Sequence, residues 1–125
     1  MKSTGWIHIV DDDEQIRSVI AMILGRTGYT VATYESAIAY LAQPHEAQRE
    51  VMLLDIRMPG MSGIELHQKL TAQGAVMPTI FMSGECHPDE MAAIHAAGCV
   101  EFLSKPFGMS QLLSAVDKAF ALINP

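Results

Sequence analysis

Apolar positions along this chain fall into short continuous runs, separated by longer stretches in which they recur every three or four residues. The runs WIHIVD (6–11), YTVATY (29–34), VMLLD (51–55), PTIFMS (78–83) and VEFLS (100–104) predict five strands, being rich in β-branched and aromatic side chains. The stretches between them carry helical spacing. Over 13–27 the stripe is Ile16, Val19, Ile20, Ile23 and Leu24, with Gly28 as the stop. Ser36 is placed to cap a helix over 37–43 that Pro44 ends, and Ser62 to cap one over 63–73 that Gly74 ends. Pro88 opens a helix running to about Gly98. Ser110 is expected to cap the last, which carries Leu112, Leu113, Val116, Ala119, Phe120 and Ile123 on its inner face through Ile123.

Strict alternation of strand and helix predicts an α/β domain, a five-stranded parallel sheet with helices on both faces. The runs at 51–55 and 78–83 are apolar without alternation, as central strands covered on both sides should be. No repeat, linker or low-complexity tract interrupts the 125 residues, so one domain over 1–125 is expected.

An open parallel sheet binds ligands beyond the carboxyl ends of its strands. The polar residues expected there are Asp11, Asp12 and Asp13 after the first strand, Asp55 after the third, Ser83 after the fourth and Lys105 after the fifth. Convergent carboxylates raise one another's pKa and call for a cation, and an all-oxygen set suits a hard ion such as Mg²⁺. A carboxylate nucleophile, a metal, a cationic clamp and a hydroxyl donor together make a set for phosphoryl transfer. Asp55 is the expected nucleophile, because a Gly- and Pro-rich turn follows it; Lys105 would contact a phosphoryl oxygen and Ser83 would donate to another.

Charge and cysteine content narrow the surroundings. The net charge is −6, from 14 acids against 8 bases, which argues against a nucleic-acid surface on this chain. Cys86 and Cys99 form neither a disulfide framework nor a zinc spacing and suggest a reducing compartment. No run approaches the ~20 apolar residues of a membrane span and no signal peptide is visible, so a cytoplasmic protein is expected. The five histidines share no ligand spacing.

The motifs IHIVDDDEQIR, LLDIRMPGMSGIEL, FMSG and FLSKPF, in this order, resemble the receiver domain of two-component response regulators over about Ile7 to Ile123. The resemblance implies a flavodoxin-like fold with strand order 2-1-3-4-5. It implies Asp55 as phospho-acceptor and Mg²⁺ held by Asp12, Asp55 and the backbone carbonyl of Arg57, with Asp11 acting mainly through water. Ser83 and Phe102 match the switch positions; Phe in place of the common Tyr removes a hydroxyl, leaving only a rotating apolar ring. Asp13 matches a helix start, and Pro106 a cis bond that aims Lys105. A sensor histidine kinase is the implied phosphoryl donor. The implied output surface is the helix opening at Pro88, the strand 100–104 and the last helix, with a homodimer formed there on phosphorylation. The first of these motifs is similar to receivers attached to LuxR-type helix-turn-helix effectors, which implies transcription control through an effector outside this chain.

Two other functions share some of these residues. A hydrolase of the haloacid dehalogenase type would use the Asp11-x-Asp13 pair, but needs an acidic metal pair after Lys105, where only Asp117 occurs. A phosphorylation-independent binding module would keep the fold without needing the acidic, hydroxyl and amine set.

Overall fold

The computed structural model describes residues 5–43, 50–75 and 77–123. The elements are β1 (Trp6–Val10), α1 (Glu14–Gly25), β2 (Thr30–Tyr34), α2 (Ala37–Leu41), β3 (Glu50–Asp55), α3 (Gly63–Ala72), β4 (Thr79–Ser83), α4 (Pro88–Ala96), β5 (Glu101–Ser104) and α5 (Met109–Ile123). The five strands are parallel in the order β2-β1-β3-β4-β5, as expected.

Strand alternation divides the core in two. Ile7, Ile9, Val51, Leu53, Ile80, Met82 and Leu103 point to one face, where Ile20 and Leu24 of α1 and Leu112, Val116 and Phe120 of α5 cover them. Val10, Met52, Leu54 and Phe81 point to the other, under Ala37 and Tyr40 of α2, Leu66 and Leu70 of α3 and Ile94 of α4. Leu53 and Leu54 are both fully buried although adjacent, which a strand permits only when helices lie on both sides of its sheet. That answers for the unbroken apolar run before Asp55.

Helix ends follow local chemistry, with one departure from expectation. Asp13 caps α1 by accepting from the N–H groups of Gln15 and Ile16. Gly28, Gly74 and Gly98 take positive φ just past α1, α3 and α4, the left-handed geometry that ends helices. Ser110, however, lies inside the first turn of α5 rather than capping it: the helix begins at Met109, and the Gln111 side chain reaches back to accept from Gly108 N–H at 2.8 Å. Gln111 thus makes the back-reaching half of a capping box, to the N–H of the residue before the helix. Val19 also leaves its stripe; it is 50 % exposed while Ile20 and Leu24 are buried. Pro44, expected to end α2, lies outside the described residues.

Ser62 caps α3 in a reciprocal box, accepting from Glu65 N–H at 3.2 Å while the Glu65 carboxylate accepts from Ser62 N–H at 2.8 Å. Ser62→Ala is expected to cost about 1 kcal/mol in urea unfolding. A change under a few tenths would show that Glu65 alone suffices.

Candidate functional site

The carboxyl ends of β1, β3, β4 and β5 bring Asp11, Asp55, Ser83 and Lys105 to one edge of the sheet. β1 stops at Val10, so Asp11 is the first residue beyond it, and Asp55 is the last of β3. Asp11 is fully buried, Asp55 is 4 % exposed and Ser83 2 %. Lys105 follows β5, and its N–H donates to the Ser83 carbonyl at 2.9 Å, tying the loop after β5 to the end of β4. The Lys105–Pro106 peptide is cis, in line with the resemblance.

The Lys105 ammonium stands between the two buried acids, 2.7 Å from Asp11 Oδ2 and 3.3 Å from Asp55 Oδ1. Burial opposes its charge, but the hydrogen bonds and charges of Asp11 and Asp55 outweigh that and hold its pKa above the ordinary lysine value. Asp55 moves the other way for a carboxylate. Burial and the neighbouring Asp11 push its pKa up to about 6 against the relief that Lys105 gives. Lys105 thus leaves part of the desolvation and repulsion at Asp55 unrelieved.

The geometry offers a place for a further cation. Carboxylate oxygens of Asp11, Asp12 and Asp55 lie within 4.8 Å of one another, with Asp12 exposed at the mouth. The fit to a hard divalent ion rests on this oxygen-only donor set and on the raised pKa of Asp55, which an added cation relieves.

The β1–α1 turn that carries the acids is fixed from within. Asp13 N–H donates to Asp11 Oδ1 at 2.9 Å, and the Arg17 guanidinium donates to the Asp11 carbonyl at 2.7 Å. Arg17 was not legible as a site residue. Its one signal is its position on α1 four residues after the Asp13 cap, where a long side chain reaches back over the helix start. Asp13, engaged as a cap, does not join the carboxylate cluster, which removes the second acid a dehalogenase-type site would use. Asp117 is exposed on α5.

Ser83 is held in its own loop. Its hydroxyl donates to the Glu85 carbonyl at 2.5 Å and accepts from Glu85 N–H at 3.2 Å. Phe102 is partly buried against the core under α2, α3 and α4. Met58 and Met61 pack on that same core. The Arg57 side chain, although partly exposed, is paired: it donates to Glu90 Oε1 at 2.6 Å and to the Glu85 carbonyl at 3.3 Å. The reason lies in the fold, which brings α4 beside the turn after β3 although 33 residues separate the partners.

Among the histidines, His8 is buried in β1, its ring nitrogens 3.0 Å from the Tyr34 hydroxyl and 2.5 Å from a Glu50 carboxylate oxygen. His87 and His95 are exposed. The carboxylate group is the one metal-type cluster among the described residues, and no described helix is long and apolar enough to cross a membrane.

Comparison with known proteins agrees with the geometry. Residues 7–117 match the family described as "Response regulator receiver domain". The chain is 37 % identical over 115 residues to the transcriptional regulatory protein FixJ of Rhizobium meliloti, covering 90 % of this chain and 55 % of that one. It is 36 % identical over 118 residues to the response regulator protein TmoT of Ectopseudomonas mendocina, covering 93 % and 53 %. The chain therefore spans about half the length of these curated relatives. Among solved structures, that titled FixJ-N superposes with a TM-score of 0.85 at 33 % identity, covering 97 % of this chain and 96 % of that one. Response regulator StyR gives 0.85 at 35 % identity, covering 97 % and 61 %. Sheet order, the acid cluster at the strand ends and a match running from β1 into α5 lead to one conclusion: this chain belongs to the response regulator receiver domain family.

Proposed function

We propose that the chain is a phosphorylation-operated switch in which Asp55 accepts a phosphoryl group from a sensor histidine kinase. One observation carries the reading: the Lys105 ammonium lies between the buried carboxylates of Asp11 and Asp55 at the sheet edge. A carboxylate so placed attacks phosphorus in line; the new O–P bond forms on Asp55 as the P–N bond to the kinase imidazole breaks, and the imidazole leaves with a proton. Lys105 is within reach of the oxygens that gain charge, and Ser83 donates to another once it turns from Glu85. Asp12, Asp55 and the Arg57 carbonyl would hold Mg²⁺ directly, with Asp11 through water. That ion neutralises phosphoryl charge when bound.

Phosphorylated Asp55 adds charge and acceptor oxygens at the end of a rigid central strand. The response is a shift of a two-state equilibrium in which Ser83 moves toward the phosphoryl group and Phe102 turns inward behind it, altering the face of α4, β5 and α5. A homodimer through that face and a DNA-binding effector outside this chain would convert the shift into transcription control. The curated relatives are about twice as long as the matched region, and FixJ is described as a transcriptional regulator. The working unit we infer is one receiver over residues 1–125, acting in the cytoplasm.

Incubation with acetyl phosphate and Mg²⁺ should label the chain with one phosphoryl group, and chelation or Asp55→Asn should abolish the labelling. Full labelling of Asp55→Asn, or sustained turnover of a generic phosphomonoester, contradicts the reading.

A further inference from the structure

The Arg57 side chain links the turn after β3 to α4, whose face the proposed switch alters. It leaves the turn after β3, two residues past Asp55, and ends on the first turn of α4. Glu90 Oε1 receives its guanidinium at 2.6 Å and also accepts from His87 N–H at 2.9 Å, so the same oxygen starts α4 and anchors Arg57. On the way, Arg57 Nε–H donates to the Glu85 carbonyl at 3.3 Å. That carbonyl is the one to which the Ser83 hydroxyl donates at 2.5 Å.

Arg57 and Ser83 therefore share an acceptor. Ser83 can donate to a group on Asp55 only by leaving the Glu85 carbonyl, because a hydroxyl has one proton to give. Arg57 is bound both to that carbonyl and to Glu90 beyond it, at either end of the loop of residues 84–87.

We propose that Arg57 is a positioning residue that braces the β4–α4 loop in its resting arrangement, through paired contacts to the Glu85 carbonyl and the Glu90 carboxylate. The proposal rests on the switch reading above. It includes the release of both Arg57 contacts once Ser83 leaves the Glu85 carbonyl. A contact made only in the resting state opposes activation, so removing it favours the active state and strengthens binding of any ligand that selects that state. The pair is partly exposed, with Arg57 at 42 % and Glu90 at 20 % side-chain exposure. Its loss should change the apparent affinity about two- to fivefold rather than by orders of magnitude.

The test combines two readouts on the full chain, wild type beside Glu90→Gln, Arg57→Ala and the double variant. Gln at position 90 keeps an acceptor for His87 N–H and removes the charge, so α4 retains its start. Amide hydrogen exchange of residues 84–87, without Mg²⁺ or phosphoryl donor, should quicken in each single variant and no further in the double. Titration with beryllofluoride in Mg²⁺ should then saturate at about two- to fivefold lower concentration in each single variant, again without additivity. Unchanged exchange, additive effects or weaker beryllofluoride binding in Glu90→Gln overturns the brace. If wild type shows no beryllofluoride response at all, the switch reading fails, and the exchange experiment still decides whether Arg57 holds the loop.

Discussion

Asp55→Asn is expected to stabilise the metal-free protein near neutral pH while removing its capacity to be phosphorylated. The cause is the cost of keeping a carboxylate ionised at a site that is 4 % exposed and faces Asp11. Its pKa rises from 3.8 to about 6 in the fold, which corresponds to about 3 kcal/mol. The sign follows from linkage. A carboxyl whose folded pKa is raised adds stability below the unfolded pKa, and loses it as pH climbs through the folded value. Wild type should therefore weaken between about pH 4 and pH 7 relative to Asp55→Asn. The value of about 6 already includes the relief given by Lys105, so the gain should be at most about 3 kcal/mol in EDTA at about pH 7.5, and near zero at about pH 4. Saturating Mg²⁺ should narrow the gap, since it favours the ionised acid. Urea unfolding across this range is the measurement; a variant less stable than wild type at neutral pH would mean that Lys105 outweighs burial and Asp11 together.

Gly63→Ala should be among the most damaging single substitutions in the chain. A Cβ at position 63 would stand 2.1 Å from the Asp55 carbonyl oxygen and 2.9 Å from its carbon. Both atoms are backbone at the end of the central strand, so no side chain can swing aside. Gly63 N–H also donates to the Ile56 carbonyl at 2.9 Å, which pins the start of α3 against the end of β3. Relief requires moving α3 or Asp55 itself. The expected cost is about 3 kcal/mol or more in urea unfolding, at the upper end for overpacking. The survivors should also lose phosphorylation rate, because the displaced atoms belong to the proposed acceptor. A cost under about 0.5 kcal/mol would show that α3 docks more loosely than this contact requires.

The candidate site was legible where its residues sit at the ends of strands. Asp11, Asp12, Asp55, Ser83 and Lys105 could be placed together because parallel strands present their carboxyl ends to one edge, so sequence order alone predicts proximity. The covered central strand at 51–55 was legible from its lack of alternation. What stayed hidden depends on side chains that meet across the fold. Arg57 and Glu90 are 33 residues apart, and neither carries a local signal for the other. Arg17 reaches a backbone carbonyl, which any residue could supply. His8, Tyr34 and Glu50 come from three strands, and only the register joins them. Helix starts failed where two caps competed: Ser110 is the better cap by propensity, yet Gln111 reaching back to Gly108 starts α5 earlier.

Gly63 shows a different limit. Glycine after a Ser cap reads as an ordinary first-turn residue, and the close approach of the Asp55 carbonyl becomes visible only when β3 and α3 are docked. Burial likewise converts an aspartate that would titrate near 3.8 into one titrating at about 6. The sequence supplies the residue, and the two-sided cover of β3 supplies its altered chemistry.

The most direct measurement is chemical mapping of the acceptor. An acyl phosphate is reduced by borohydride where an ordinary carboxylate is not. The chain is treated with acetyl phosphate and Mg²⁺, reduced, digested and sequenced by mass. Conversion of Asp55 to homoserine is expected, and its absence without Mg²⁺. Reduction at Asp11, Asp12 or Asp13 instead, or at no aspartate in a labelled chain, would contradict it.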